Sequence, residues 1–199
     1  MLRLQNASLV LASSKVLFRN LNFELKAGDL VHLVGPNGIG KSSFLKTLAG
    51  HLALSEGSVL WSGKVKHYLP QLANLNFHVN LTLRDVLKIN LQNYCEQSVL
   101  ELGLLDAAAL ELSWNSASGG ERQRTLLTQT FLSKAEVLLL DEPTNHLDKE
   151  RSKKIFELMT HYVASCERAI VYVSHLACHP ERSEGPQAKC HTIDLRDYR

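Results

Sequence analysis

The 199-residue sequence contains no apolar run near the ~18 residues that a membrane-crossing helix requires, so any work at a bilayer would need another chain to supply the spanning part. Its N-terminus, Met1-Leu-Arg-Leu-Gln-Asn6, is too broken by polar residues to act as a signal peptide. Cysteine is scarce and scattered. Cys95, Cys166, Cys178 and Cys190 form no C-x-x-C pair, which points to a reduced intracellular thiol set and not to a disulfide framework. Neither sign of charge dominates: 22 Lys and Arg stand against 20 Asp and Glu, a formal net charge of +2. With no basic tail or Lys/Arg cluster, a dedicated nucleic-acid surface is not expected. Internal repeats and low-complexity segments are absent too. The length suits one well-buried domain, or a core with a small lobe, but not two full domains.

What is present is concentrated in a few motifs. Gly35-Pro-Asn-Gly-Ile-Gly-Lys-Ser42 has the spacing of a phosphate-binding loop. Gly35, Gly38 and Gly40 allow close backbone approach, and Asn37 lies within the loop. A helix starting near Lys41 would aim its N-terminal N–H groups at an anion. Lys41 is then expected to reach the β- and γ-phosphates, Ser42 to ligate Mg²⁺, and Ser43 to contact the α-phosphate region. About a hundred residues later, Val137-Leu-Leu-Leu-Asp-Glu-Pro143 is an apolar strand delivering two carboxylates to its end. The simplest division assigns Asp141 to the metal and Glu142 to the attacking water. A coincidental glycine turn or a purely structural Asp-Glu turn explains either motif alone, but not both in this context.

Strands are expected at Leu2–Leu11, Val16–Leu25, Leu30–Val34, Ser58–Trp61, Lys64–Leu69, Glu136–Leu140, Ala169–Val173 and His191–Leu195. The first two alternate in hydrophobicity and suit an antiparallel layer. Helices are expected at Lys41–Gly50, from the Thr82-Leu-Arg-Asp85 capping box through Tyr94, at Glu96–Leu102, at Asp106–Leu112 and at Lys149–Ala164. Residues 74–133 lack a β-branched run and suit a helical subdomain inserted into an α/β core of phosphate-loop NTPase type, within a single domain spanning 1–199.

Ser118-Gly-Gly-Glu121 admits two uses. It is a capping box opening a helix that runs to Leu132, and it is a bared helix terminus able to cradle a phosphate through Ser118, Gly119 and Gly120. The cap alone leaves two successive glycines unexplained, since glycine weakens a first turn.

Taken together, these motifs resemble the ATP-binding-cassette (ABC) ATPases over nearly the whole chain. The family's phosphate loop is matched by Gly35–Ser42, its Q-loop by Gln71 and its signature sequence by Ala117-Ser-Gly-Gly-Glu121. Its second acidic motif corresponds to Val137–Glu142, its D-loop to Asn145-His-Leu-Asp148 and its switch histidine to His175. The resemblance implies an ATPase using ATP and Mg²⁺ in an ATP-dependent head-to-tail dimer, where Ser118 and Gly120 touch the γ-phosphate held by the partner's Lys41. It further implies that His175 holds the γ-phosphate and Glu142 in register. Gln71 would sense the γ-phosphate and Mg²⁺, close to the metal and the chemistry alike.

The chain departs from the family pattern in places. Glu121 replaces the signature glutamine, a frequent variation that does not threaten activity, and Ala117 replaces its leucine, while Ala12-Ser-Ser-Lys15 lacks the ring that stacks on adenine in the family. The chain stops 24 residues after His175, so no regulatory domain is expected there. A lone cassette without a membrane segment suits a peripheral transporter subunit at the cytoplasmic face of the inner membrane, coupled to an integral membrane permease. Residues 63–71 and 118–124 look most like the ATPases of metal-ion importers, with a haem-export or other small-molecule-export subunit as one alternative. Asn145-His-Leu-Asp148 is common in soluble ABC proteins that act on ribosomes, a second alternative. Cys178-His179 and Cys190-His191 invite a zinc site, but scattered loop residues are the favoured reading.

Overall fold

The structure, a computed structural model, describes residues 2–11, 14–63, 66–71, 77–165, 168–174 and 189–198. Hydrophobic patterning sorts these residues into two sheets. Strands β1 (Leu2–Val10), β2 (Val16–Leu25) and β4 (Glu56–Trp61) form an antiparallel sheet in the order β2-β1-β4. One face of it is apolar: Leu2, Leu4, Leu9, Phe18, Leu21 and Leu25 are all buried. The second sheet is parallel, in the order β5-β6-β7-β3-β8. Its strands are β3 (Asp29–Val34), β5 (Lys66–Leu69), β6 (Val137–Asp141), β7 (Ala169–Val173) and β8 (Lys189–Asp194). Every residue of β6 and β7 is buried, as expected of central parallel strands covered on both faces.

Each face has its own cover. Helix α1 (Lys41–Ala49) packs Phe44, Leu45 and Leu48 against Val31, Leu33, Val137, Leu139 and Val171, with the antiparallel sheet closing the same cluster. On the other face, α6 (Lys149–Ser165) lays Ile155, Met159, Tyr162 and Val163 on Leu138, Leu140 and Ile170. These positions recur at helical spacing, which explains why this stretch forms one long amphipathic helix. Helix α5 (Gly119–Leu132) joins that cluster through Leu127 and Phe131.

A third apolar cluster holds the short helices α2 (Leu83–Asn90), α3 (Glu96–Glu101) and α4 (Ala107–Leu110). Trp114, 1% exposed, fills its centre, and Leu126 and Leu132 of α5 reach it from the other side. Helix α5 therefore touches both the core and the helical cluster. The Thr82–Asp85 capping box forms as expected, but α2 ends at Asn90 and does not reach Tyr94, because Leu91 turns extended. Strand β4 starts two residues before the expected Ser58, β8 starts at Lys189 and ends one residue short of Leu195, and α4 is a single turn. Among the described residues no helix is long and apolar enough to cross a membrane.

Candidate functional site

The parallel strands β3, β5 and β6 all end on one side of the sheet, and the polar residues that follow them meet there. After β3, the loop turns through Gly35, Gly38 and Gly40 at φ +141°, +74° and +118°, a region costly to any residue carrying a Cβ. Gly40 caps α1 in this left-handed conformation and leaves the first N–H groups of the helix open. The Lys41 ammonium, nearly buried, donates to the carbonyls of Gly35 (2.8 Å) and Pro36 (3.2 Å), and Lys15 donates to that of Gly38 (3.2 Å). The loop is thus held open by two cations on its own carbonyls. Electropositive donors converge on its inner side.

Beside the loop, the Ser42 hydroxyl donates to Asp141 Oδ1 at 3.1 Å. Asp141, 2% exposed at the end of β6, also accepts from the Tyr68 phenol at 3.3 Å through Oδ2. Burial pushes the Asp141 carboxyl above the usual carboxylate range, against the opposing pull of those two hydroxyls. Burial and the neighbouring Asp141 charge raise the Tyr68 phenol, so it remains a donor. A hydroxyl and a carboxylate side by side are hard oxygen donors of the kind Mg²⁺ takes, and the donor set fits that ion.

Glu142 follows with φ +53°, a strained left-handed conformation for a non-glycine residue. Its backbone N–H donates to the Val173 carbonyl at 3.1 Å, tying it to the end of β7. Its Oε2 accepts from Gln71 Nε2 at 3.0 Å and from Asn145 Nδ2. Two carboxamides therefore aim one carboxylate at the cleft, whose volume is about 490 Å³. Its lining includes Asn37, Gly38, Gly40, Lys41, Ser42, Ser43, Gln71 and Glu142. The remaining wall is Leu11, Lys15 and Leu17.

The signature segment lies elsewhere. Ser118, Gly119 and Gly120 do not line this cleft. Ser118 caps α5 in a reciprocal box, its N–H and hydroxyl both donating to Glu121 Oε2 at 2.7 Å. One of the two glycines has a packing reason that the sequence did not reveal: a Cβ on Gly120 would stand 3.1 Å from the His146 carbonyl, whereas one on Gly119 would make ordinary contact with the His146 ring at 3.6 Å. The missing side chain at Gly120 lets the segment after β6 close on the start of α5. The same junction is pinned by Gln123, which is fully buried and donates to the Pro143 carbonyl at 3.0 Å.

His175, Cys178 and His179 lie outside the described residues. Cys190 and His191 are neighbours on β8, so their side chains alternate across the strand, and among the described residues no group of three or more His, Cys, Asp or Glu could hold a metal ion. Tyr68 and Gln123 are site residues that sequence reasoning missed. The available signal for Tyr68 was strand parity: paired with Leu139, it shares the face of Asp141 two residues on.

Comparison with known proteins agrees with this geometry. The ABC transporter family model matches residues 18–145. The chain is 32% identical over 179 residues to the zinc import ATP-binding protein ZnuC of Acinetobacter baylyi, covering 88% of this chain and 68% of that protein. An ABC transporter ATP-binding protein from Pyrococcus furiosus has the same fold, with a TM-score of 0.78 at 22% identity, covering 99% of this chain and 98% of that one. A solved complex of the archaeal ribosomal stalk protein aP1 with the archaeal ribosome recycling factor aABCE1 is also similar, at 31% identity and TM-score 0.66, over 77% of this chain and 30% of that one. The chain belongs to the ABC transporter family and is an ATP-binding and ATP-hydrolysing cassette of it.

Proposed function

We propose that this chain powers a metal-ion importer, as a head-to-tail ATPase dimer docked on a separate integral membrane permease at the cytoplasmic face of the inner membrane. The observation that carries the hydrolytic part is the convergence of Lys41, Ser42, Gln71 and Glu142 on one cleft. The metal-ion cargo is supported by the similarity to a zinc import ATP-binding protein. The helical cluster built on α2, α3 and α4 is assigned as the permease-facing subdomain, within a single domain of 1–199.

In this reading the open N–H groups at Gly40 and the start of α1, with Lys41, bind the phosphates of ATP. Ser43 completes the wall beside them, and Asn37 and Gly38 edge the cleft. Mg²⁺ would be held by Ser42 and Asp141 with Gln71 beside them, and when bound it neutralises charge on the β- and γ-phosphates. Glu142 orients the attacking water and takes its proton, while the Gln71 and Asn145 amides hold its carboxylate in place. Ser118, Gly119 and Gly120 act on nucleotide held by a partner copy, and His175 completes the γ-phosphate contacts.

The test is Glu142→Gln. Phosphate release should fall at least ~100-fold, the order expected for loss of a general base, while sizing chromatography shows an ATP-dependent dimer. An unchanged rate would remove Glu142 from the mechanism. Affinity purification of the parent from detergent-solubilised membranes should recover an integral membrane protein. Recovery with ribosomes alone would favour the ribosome-associated reading, which the likeness to the recycling-factor complex supports.

A further inference from the structure

We propose that Tyr68 is a positioning residue for the metal site, fixing the Asp141 carboxylate so that one oxygen is presented beside Ser42. The inference rests on the reading of Asp141 as a metal-holding carboxylate. Its two oxygens are divided between two hydroxyls: Ser42 on Oδ1 at 3.1 Å and Tyr68 on Oδ2 at 3.3 Å. Since Asp141 is 2% exposed, protein donors and not water set the orientation of that carboxylate. A buried carboxylate with a donor on only one oxygen could turn about its last torsion. A second donor on the far oxygen removes that freedom.

Tyr68 is built to stay there. Parallel pairing of β5 with β6 sets it opposite Leu139, on the sheet face shared by Asp141. The His51 ring meets the Tyr68 ring edge-on, with centroids 5.5 Å apart and planes at 78°. Position 68 is also three residues before Gln71, so one short strand delivers both the phenol on Asp141 and the carboxamide on Glu142. The strand thereby links the metal side and the water side of the cleft. The Tyr68 contact is longer than the usual 2.7–2.8 Å of a hydroxyl bond, so its loss should cost little folding stability. Tyr68→Phe should therefore fold normally.

The experiment is calorimetric titration of the full chain with a non-hydrolysable ATP analogue, once with Mn²⁺ and once with EDTA. In the parent, Mn²⁺ should tighten binding, and Asp141→Asn should remove that gain. Tyr68→Phe should bind the analogue normally in EDTA and lose about tenfold of the Mn²⁺-dependent gain, the lower end of what loss of a ligand-orienting partner does. Adding Tyr68→Phe to Asp141→Asn should then change nothing further, because the phenol acts only through that carboxylate. A full Mn²⁺ gain in Tyr68→Phe, alongside its loss in Asp141→Asn, overturns the proposal. So does a parallel loss of EDTA binding, which marks a packing role. If Asp141→Asn itself keeps the gain, the metal reading of Asp141 fails first, and the two failures are told apart.

Discussion

Gln123→Leu should separate folding stability from catalysis at this site. Gln123 is fully buried, its Nε2 donates to Pro143 O at 3.0 Å, and its Oε1 finds no hydrogen-bond partner among the described residues. Leucine removes a bond with a net value of about 1 kcal/mol and leaves the Pro143 carbonyl short of a donor, a penalty of roughly 1–3 kcal/mol. It also removes the orphaned Oε1, whose desolvation costs a similar ~1–3 kcal/mol. These terms nearly cancel, so the unfolding free energy should stay within ~2 kcal/mol of the parent. Activity should not stay. Pro143 adjoins Glu142, whose left-handed backbone at φ +53° stores about 1–2 kcal/mol and is restrained on both sides by neighbours. Releasing Pro143 lets Glu142 drift from Gln71, and a displacement of that kind lowers rates by about tenfold to a hundredfold. The fall should lie in kcat with KM unchanged. Urea unfolding followed by the fluorescence of Trp61 and Trp114, with phosphate release measured against ATP, reads both quantities. Full kcat in the leucine variant would show the hydrogen bond to be idle, and a loss above ~3 kcal/mol would show that the amide oxygen is satisfied after all.

Two further outcomes follow from the fold. Gly57 sits at φ +83° in β4, and a Cβ there would stand 2.4 Å from the carbonyl oxygens of both Gln5 and Asn6. Gly57→Ala should lose about 2–5 kcal/mol in urea unfolding, the left-handed term plus overpacking. Gly28→Ala, at φ +84° with nothing within 4 Å, should lose only the backbone part; equal losses would mean the β1 wall yields. Burial holds the imidazoles of His32 and His67 below their ordinary value of 6.5, so the folded state favours the neutral rings. Their contribution to stability is complete above pH ~6.5 and is lost as pH falls through the lower folded values. The thermal midpoint should therefore decline as pH falls below ~6.5, and less steeply in His32→Gln; a midpoint that stays flat as pH is lowered from there would contradict the shift.

The motifs contained within a few adjacent residues were legible from the sequence. The loop from Gly35 to Ser42, the run from Val137 to Glu142 and the Thr82 and Ser118 capping boxes each carry their geometry within a few residues, and all form. Element ends were less legible where polarity hides pairing. Glu56 and Gly57 carry no apolar signal, yet Glu56 pairs with Ser8 and extends β4. Tyr94 continues the apolar rhythm of α2 because it packs on the same cluster from beyond the helix. Residues that act across the fold, Tyr68 and Gln123, were invisible because their partners lie 73 and 20 residues away. The Gln71–Glu142 contact, 71 residues apart, shows what bridges such distances. Sheet order makes β5 and β6 parallel neighbours, so both chains emerge on the same side within one strand spacing. Gln71 and Glu142 are each among the first residues past those ends. Motifs name the residues at a strand's carboxyl end, but strand order decides which of them meet, and strand order is not written in any local stretch of this chain.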